Sequence, residues 1–173
     1  MLAAFTAFHV ALSLIAIGSG FVVVYGLITS KRMDGWTALF LSTTVLTSLT
    51  GFLFPIHKFT PGIGVGIVSM ILLGAAVLAR YRFGLAGGWR RTYAITAVLS
   101  LYLNFFVLIV QLFEKVPALR ELAPTQSEPP FQVAQLSALV IFAVLTVLSA
   151  VKFHDEPLRA SQWTARAASN RNM

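Results

Sequence analysis

Five runs of apolar residues, each close to the length of a membrane crossing, constrain this chain more than any other feature. They cover residues 5–28, 36–56, 62–79, 92–113 and 131–151. A hydrocarbon core of about 30 Å needs about 20 apolar residues in helical form. Each run is apolar all round, the pattern of a lipid-immersed helix rather than of one covering a water-facing core. Hydrophobic residues make up 57% of the chain and charged ones 11%. Soluble domains carry about 25% charged residues, so a water-soluble globule is excluded. The expected fold is all-α: a polytopic membrane protein built as a five-transmembrane-helix bundle.

The breaks between runs are equally legible. Lys31, Arg32, Met33, Asp34 and Gly35 part the first two. Pro55 and Pro61 bracket a tight turn containing His57. Residues 80–91 carry Gly84, Gly87 and Gly88, and Pro117, Pro124, Pro129 and Pro130 punctuate the longest connection. Pro130 suits the first turn of the last helix. Residues 1–152 read as one transmembrane domain and 153–173 as a basic cytoplasmic tail, with Arg159, Arg166 and Arg171 around Trp163. Such a tail is suited to anionic headgroups.

Charge sets the orientation. With the N-terminus outside, the inner side holds Lys31, Arg32, Arg80, Arg82, Arg90, Arg91, Lys152, Arg159, Arg166 and Arg171. The outer side holds only Lys58, Lys115 and Arg120. Basic residues collect on the cytoplasmic side, which predicts N-terminus outside and C-terminus in the cytoplasm. No basic residue precedes the first run, so it reads as a retained span rather than a cleaved signal. The excess of Arg over Lys and the alanine content fit a bacterial inner (plasma) membrane. The net charge of +7 follows from these loops, and no basic stripe interleaved with aromatics suggests nucleic acid.

The chain has no cysteine. That removes disulfides, thiol catalysis, cysteine-held zinc, iron–sulfur clusters and thioether-linked haem. No nucleotide loop, zinc-protease motif or nucleophile elbow occurs. Small residues set helix packing: Gly62 with Gly66, Ala16 with Gly20, and in the second run Thr43, Thr47 and Gly51. The hydroxyls of that run are expected to bond to helix carbonyls and neighbouring helices.

Polar groups inside spans are costly and rarely face lipid, so each is a candidate site. The candidate ligand-binding residues are His9, Ser13, His57, Asn104, Gln111, Glu114, Gln132 and Gln135. All but Asn104 fall toward the outer end, which suggests one outward-facing polar pocket. The reading is a small membrane protein of the binding or accessory class, holding a small ligand, a lipid or a partner helix. Its expected partners are the bilayer, other membrane subunits or a second copy of itself. An alternative places haem b or a quinone in the pocket through His9 and His57, and a weaker one a metal ion at His9, His57 and Glu114. A third makes the hydroxyl face of the second run a path for small solutes. No catalytic residue is assigned.

Overall fold

A computed structural model describes residues 2–54 and 61–153. His57 and the tail beyond Phe153 lie outside the described residues. The long helices are α1 (Leu2–Ile28), α2 (Asp34–Phe52), α3 (Pro61–Val77), α4 (Trp89–Lys115) and α6 (Pro129–Lys152). A π-helical turn, Leu78–Arg82, continues α3, and a short α5 (Pro117–Leu122) lies between α4 and α6. Every described element is helical.

The long helices run alternately up and down. His9 of α1 faces Thr50 of α2. Further along α1, an added methyl at Gly20 would touch Phe40, and one at Gly26 would touch Met33. Each step down α1 is therefore matched by a step up α2. The α4–α6 seam is also antiparallel, with Tyr93 against Phe153, Tyr102 against Phe142 and Phe113 against Phe131. Thr37 and Thr44 of α2 meet Tyr93 and Asn104 of α4, so those two helices run in parallel.

Helix α4 sits at the centre and touches α1, α3, α5 and α6. Its Tyr93, Ala94, Val98, Ser100 and Leu101 are fully buried. The α1–α4 seam is tight because Gly20 has no side chain: a Cβ there would lie 2.5 Å from Leu101 Cδ1. Ala16, one turn away, is fully buried as well, so this small-residue pair packs as expected. Gly66 of α3 faces the ring of Phe52, whereas Gly74 meets no neighbour.

Four helices are long and apolar enough to cross a membrane: Leu2–Ile28, Gly62–Arg82, Trp89–Lys115 and Pro129–Lys152. Helix α2 is not among them. It has 19 residues, and its Ser and Thr side chains lower its hydropathy below that of its neighbours. The outward faces are apolar too. Val133, Leu136, Val140, Val144, Val147 and Val151 form an exposed stripe along α6 at helical spacing. So continuous an apolar surface on a water-soluble monomer would be a liability; against lipid it is the ordinary solution.

The helices extend beyond the apolar runs at most of their ends. Helix α4 begins at Trp89 and ends at Lys115, and α6 begins at Pro129, because backbone hydrogen bonding continues where hydropathy stops. The link from the π turn to α4 reverses direction through left-handed residues Gly84, Leu85 and Gly87. Glycine adopts that conformation freely. Leu85 does not, but its side chain is buried in the core and its N–H bonds to the Ala79 carbonyl.

Candidate functional site

Polar groups concentrate at the two ends of the bundle, and the ends are built differently. At the end holding His9, the bonded polar side chains pair with separate neighbours rather than with one another. His9 is half-buried, with Nδ1 2.8 Å from Thr50 Oγ1. Its ring stands edge-on to Phe54, with centroids 5.2 Å apart, and passes over Gly51. Which partner carries the proton depends on where the Thr50 hydroxyl donates. Thr50 has a single hydroxyl hydrogen, and its Oγ1 lies 2.7 Å from the Leu46 carbonyl one turn back. Donating to that carbonyl, the hydroxyl accepts from His9 Nδ1–H. In the neutral ring Nε2 is then the unprotonated nitrogen, a hydrogen-bond acceptor or a metal ligand.

The other expected residues that are described do not converge on His9. Asn104 is buried near mid-bundle, and its Nδ2 reaches Thr44 Oγ1 at 3.4 Å. Gln135 Nε2 donates to the Phe106 carbonyl at 3.2 Å. Its buried Oε1 has no partner among the described residues. Gln132 Nε2 donates to the Ser127 carbonyl at 2.7 Å, closing the turn before α6. Gln111 and Glu114 are exposed, and Ser13 is half-buried. The structure thus gathers His9 onto the α1–α2 seam, Asn104 onto α2–α4 and Gln135 onto α4–α6. No group of three metal-ligating side chains forms among the described residues.

Most hydroxyls of α2 behave as packing groups, and the buried Thr47 Oγ1 has no partner among the described residues. Ser42, Thr43 and Thr50 donate to carbonyls of their own helix, while Thr37, Thr44 and Thr50 also receive a bond from another helix.

The opposite end holds a cluster that sequence reasoning missed. Arg80 lies in the π turn, and its side chain is 6% exposed. It falls on the buried stripe of α3 formed by Ser69, Leu73 and Ala76, at helical spacing. Read as part of a basic loop, it gave no hint of this; read by period, it belongs to the packed face. Its Nη2 is paired with Asp34 Oδ1, and Arg32 Nε lies 3.5 Å from the same oxygen. The guanidinium stands 5.3 Å from the Tyr93 ring centroid and 5.8 Å from that of Tyr81. Tyr93 OH donates to Thr37 Oγ1 at 3.5 Å.

These groups border a small open recess of about 10 Å³, room for about one water, lined by Val23, Leu27, Lys31, Arg32, Met33, Thr37, Arg80, Tyr93 and Phe153. Ser30 Oγ donates to the Lys152 carbonyl beside it, tying the end of α1 to the end of α6.

No protein-family model, no curated protein and no solved structure matches this sequence. The class is therefore defined by the architecture itself: an all-helical protein with several helices long and apolar enough to span a membrane.

Proposed function

We propose that the chain is a five-span membrane protein of the binding or accessory class, with its N-terminus outside and its C-terminus in the cytoplasm. Its ligand site lies at the outer end, around His9. The observation carrying the site is the His9–Thr50 hydrogen bond, which holds a half-buried imidazole against α2; with the Thr50 hydroxyl donating to the Leu46 carbonyl, Nε2 is left unprotonated. Such a nitrogen accepts a hydrogen bond from a ligand O–H or N–H, or binds a metal centre.

The fifth span is supported by the register of α2 against α1. The two helices stay side by side from the His9 end to the Met33 turn, so α2 passes through the same depth as α1. Its hydroxyls are largely satisfied by helix carbonyls and neighbouring helices, which lowers their cost in lipid. The chain lacks cysteine, so single cysteines report topology directly. Cysteines at Ala3 and Ser127 are expected to react with an impermeant maleimide from outside, and one at Gly87 is not. If α2 does not cross, Gly87 is labelled and Ser127 is not.

The binding role is tested by native mass spectrometry of the chain extracted from its own membrane. A co-purifying small molecule or subunit, lost on His9→Ala, is the expected result. Identical bare spectra for both proteins would sink it.

The same tautomer favours one alternative, haem b held through His9, because an imidazole binds iron through its unprotonated nitrogen. It suits a quinone less well, since a quinone carbonyl needs a donor. A Soret band in the purified protein, absent from His9→Ala, would select the haem reading.

A further inference from the structure

We propose that the exposed turn joining the π-helical end of α3 to α4 is an anchor for anionic phospholipid. Tyr81, Phe83 and Trp89 seat the turn at headgroup depth, and the exposed Arg82 and Arg91 take the lipid phosphates. The leaflet concerned, the inner one, rests on the orientation proposed above; the lipid preference does not.

The aromatic side chains point to a bilayer rather than a docked protein. Tyr25, Trp36, Tyr81 and Trp89 are between 39% and 59% exposed. They belong to α1, α2, the π turn and α4, and all lie at the Arg80 end. A protein bound on one side would meet one or two of these elements, whereas a bilayer meets all four. Tyr and Trp settle at the membrane–water boundary, ring in hydrocarbon and polar atom among headgroups. They ordinarily mark both boundaries. Here no described Trp or Tyr lies at the His9 end, so the belt is one-sided.

Charge selects the lipid. Phe83 and Trp89 stack with centroids 4.0 Å apart and planes 5° from parallel. That stack closes the turn, so the segments carrying Arg82 and Arg91 are neighbours. Both arginines are exposed, and neither is paired with a carboxylate among the described residues. Asp34 is the only acidic residue before Glu114, and it is already bonded to Arg80 and Arg32. The planar guanidinium fork matches a phosphate, and at the surface it needs no cavity to do so.

The backbone of the turn is set before any lipid binds. Phe83 N–H bonds to the Leu78 carbonyl, Leu85 N–H to that of Ala79 and Trp89 N–H to that of Ala86. Leu85 is buried beneath. Only the arginine side chains have to be ordered on binding, which lowers its cost.

The test uses the full-length chain with Trp36→Phe and Trp163→Phe, which leaves Trp89 as the single tryptophan. It is reconstituted into equimolar phosphatidylglycerol and phosphatidylcholine, with the acyl chains of one lipid or the other brominated. Bromine quenches on contact, so the two quenching efficiencies report which lipid lies against the turn. A cation near an anionic surface gives about a five-fold preference, so phosphatidylglycerol should quench several-fold more. The excess should shrink as salt screens the charges. Adding Arg82→Gln and Arg91→Gln should remove most of it. A companion chain with Trp36 alone, beside Lys31 and Arg32, should keep its own ratio in that double variant.

Equal quenching of Trp89 by the two lipids overturns the preference. An excess that survives in the double variant overturns Arg82 and Arg91 as its source. A loss at Trp36 equal to that at Trp89 overturns the turn as a local site, and no quenching by either lipid overturns the anchor. Both leaflets of the vesicle carry both lipids, so a reversed topology in the maleimide experiment would change the leaflet and leave these results standing.

Discussion

The two ends of the bundle solve the same problem in opposite ways. At the Arg80 end a full charge enters the helix packing and is met by a carboxylate, two aromatic faces and a small recess open to the surface. At the His9 end the groups inside the packing are neutral, and each is met by a hydroxyl or a backbone carbonyl of the next helix. Depth explains the difference. Arg80 is one turn from the end of its helix, so its long side chain reaches the exposed Asp34 while its stem stays apolar. Asn104 and Gln135 lie deeper, where a charge would have no route to water. Uncharged amides are used there, even though the buried Oε1 of Gln135 has no partner among the described residues.

If that contrast is right, substitutions at the Arg80 end cost most, and unequally. Arg80→Ala removes a packed stem, two aromatic contacts and the partner of Asp34. Losing a buried charge partner costs about 3–5 kcal/mol in full burial. Asp34 is 66% exposed, which discounts the electrostatic part and leaves an expected loss of about 2–3 kcal/mol. Asp34→Asn keeps the stem packed and should cost about 1 kcal/mol or less. Unfolding in mixed micelles measures both. Equal costs would mean that the ion pair, not the packing of Arg80, holds this end.

Much of this arrangement could be read from the sequence, and the part that could not has a physical reason. Five helices were legible because lipid demands a run of apolar residues whatever the helix packs against. Ala16 and Gly20 were legible as a close contact because small residues at a spacing of four imply one. Arg80 was not, because its neighbours in the chain are Tyr81, Arg82 and a glycine-rich turn, the signature of a surface loop. Only the stripe of Ser69, Leu73 and Ala76 hinted that the residue one turn further on points inward. The polar residues at the other end were found one by one. Which of them share a seam depends on the relative rotation of α1, α2, α4 and α6, and no single helix records that.

At the His9 end the expected effects are smaller and chemical rather than structural. Thr50→Val keeps the shape of the side chain and removes the acceptor for His9 Nδ1–H. Hydrogen bonds between membrane helices contribute about 0.6 kcal/mol on average, with a maximum near 1.7, so a loss of about 1 kcal/mol is expected. The sharper readout is the proton. Nitrogen-15 spectra of the imidazole should show the Nδ1–H tautomer in the parent chain and a shift toward Nε2–H in the variant. A ring already protonated on Nε2 in the parent would overturn the assignment, and with it the ligand-accepting nitrogen on which the proposed site depends.

The smallest effect tests whether an isolated carboxylate at this end does anything comparable to Asp34. Glu128 precedes α6 and is not paired with a cation among the described residues. Slight desolvation raises its pKa, but bonds from the Thr125 hydroxyl and from backbone N–H groups, including those of Thr125 and Ser127, outweigh it. The carboxyl therefore sits below its ordinary value of 4.5. Because the folded value is the lower one, its contribution to the turn is present above the ordinary carboxylate range and is lost as pH falls through the folded pKa. The amide signals of Thr125 and Ser127 should titrate together with a midpoint below 4.5, and in Glu128→Gln they should stay flat. A midpoint at or above 4.5 would show that the turn does not hold the carboxylate. Among the described residues, the carboxylate that shapes this bundle would then be the one facing Arg80.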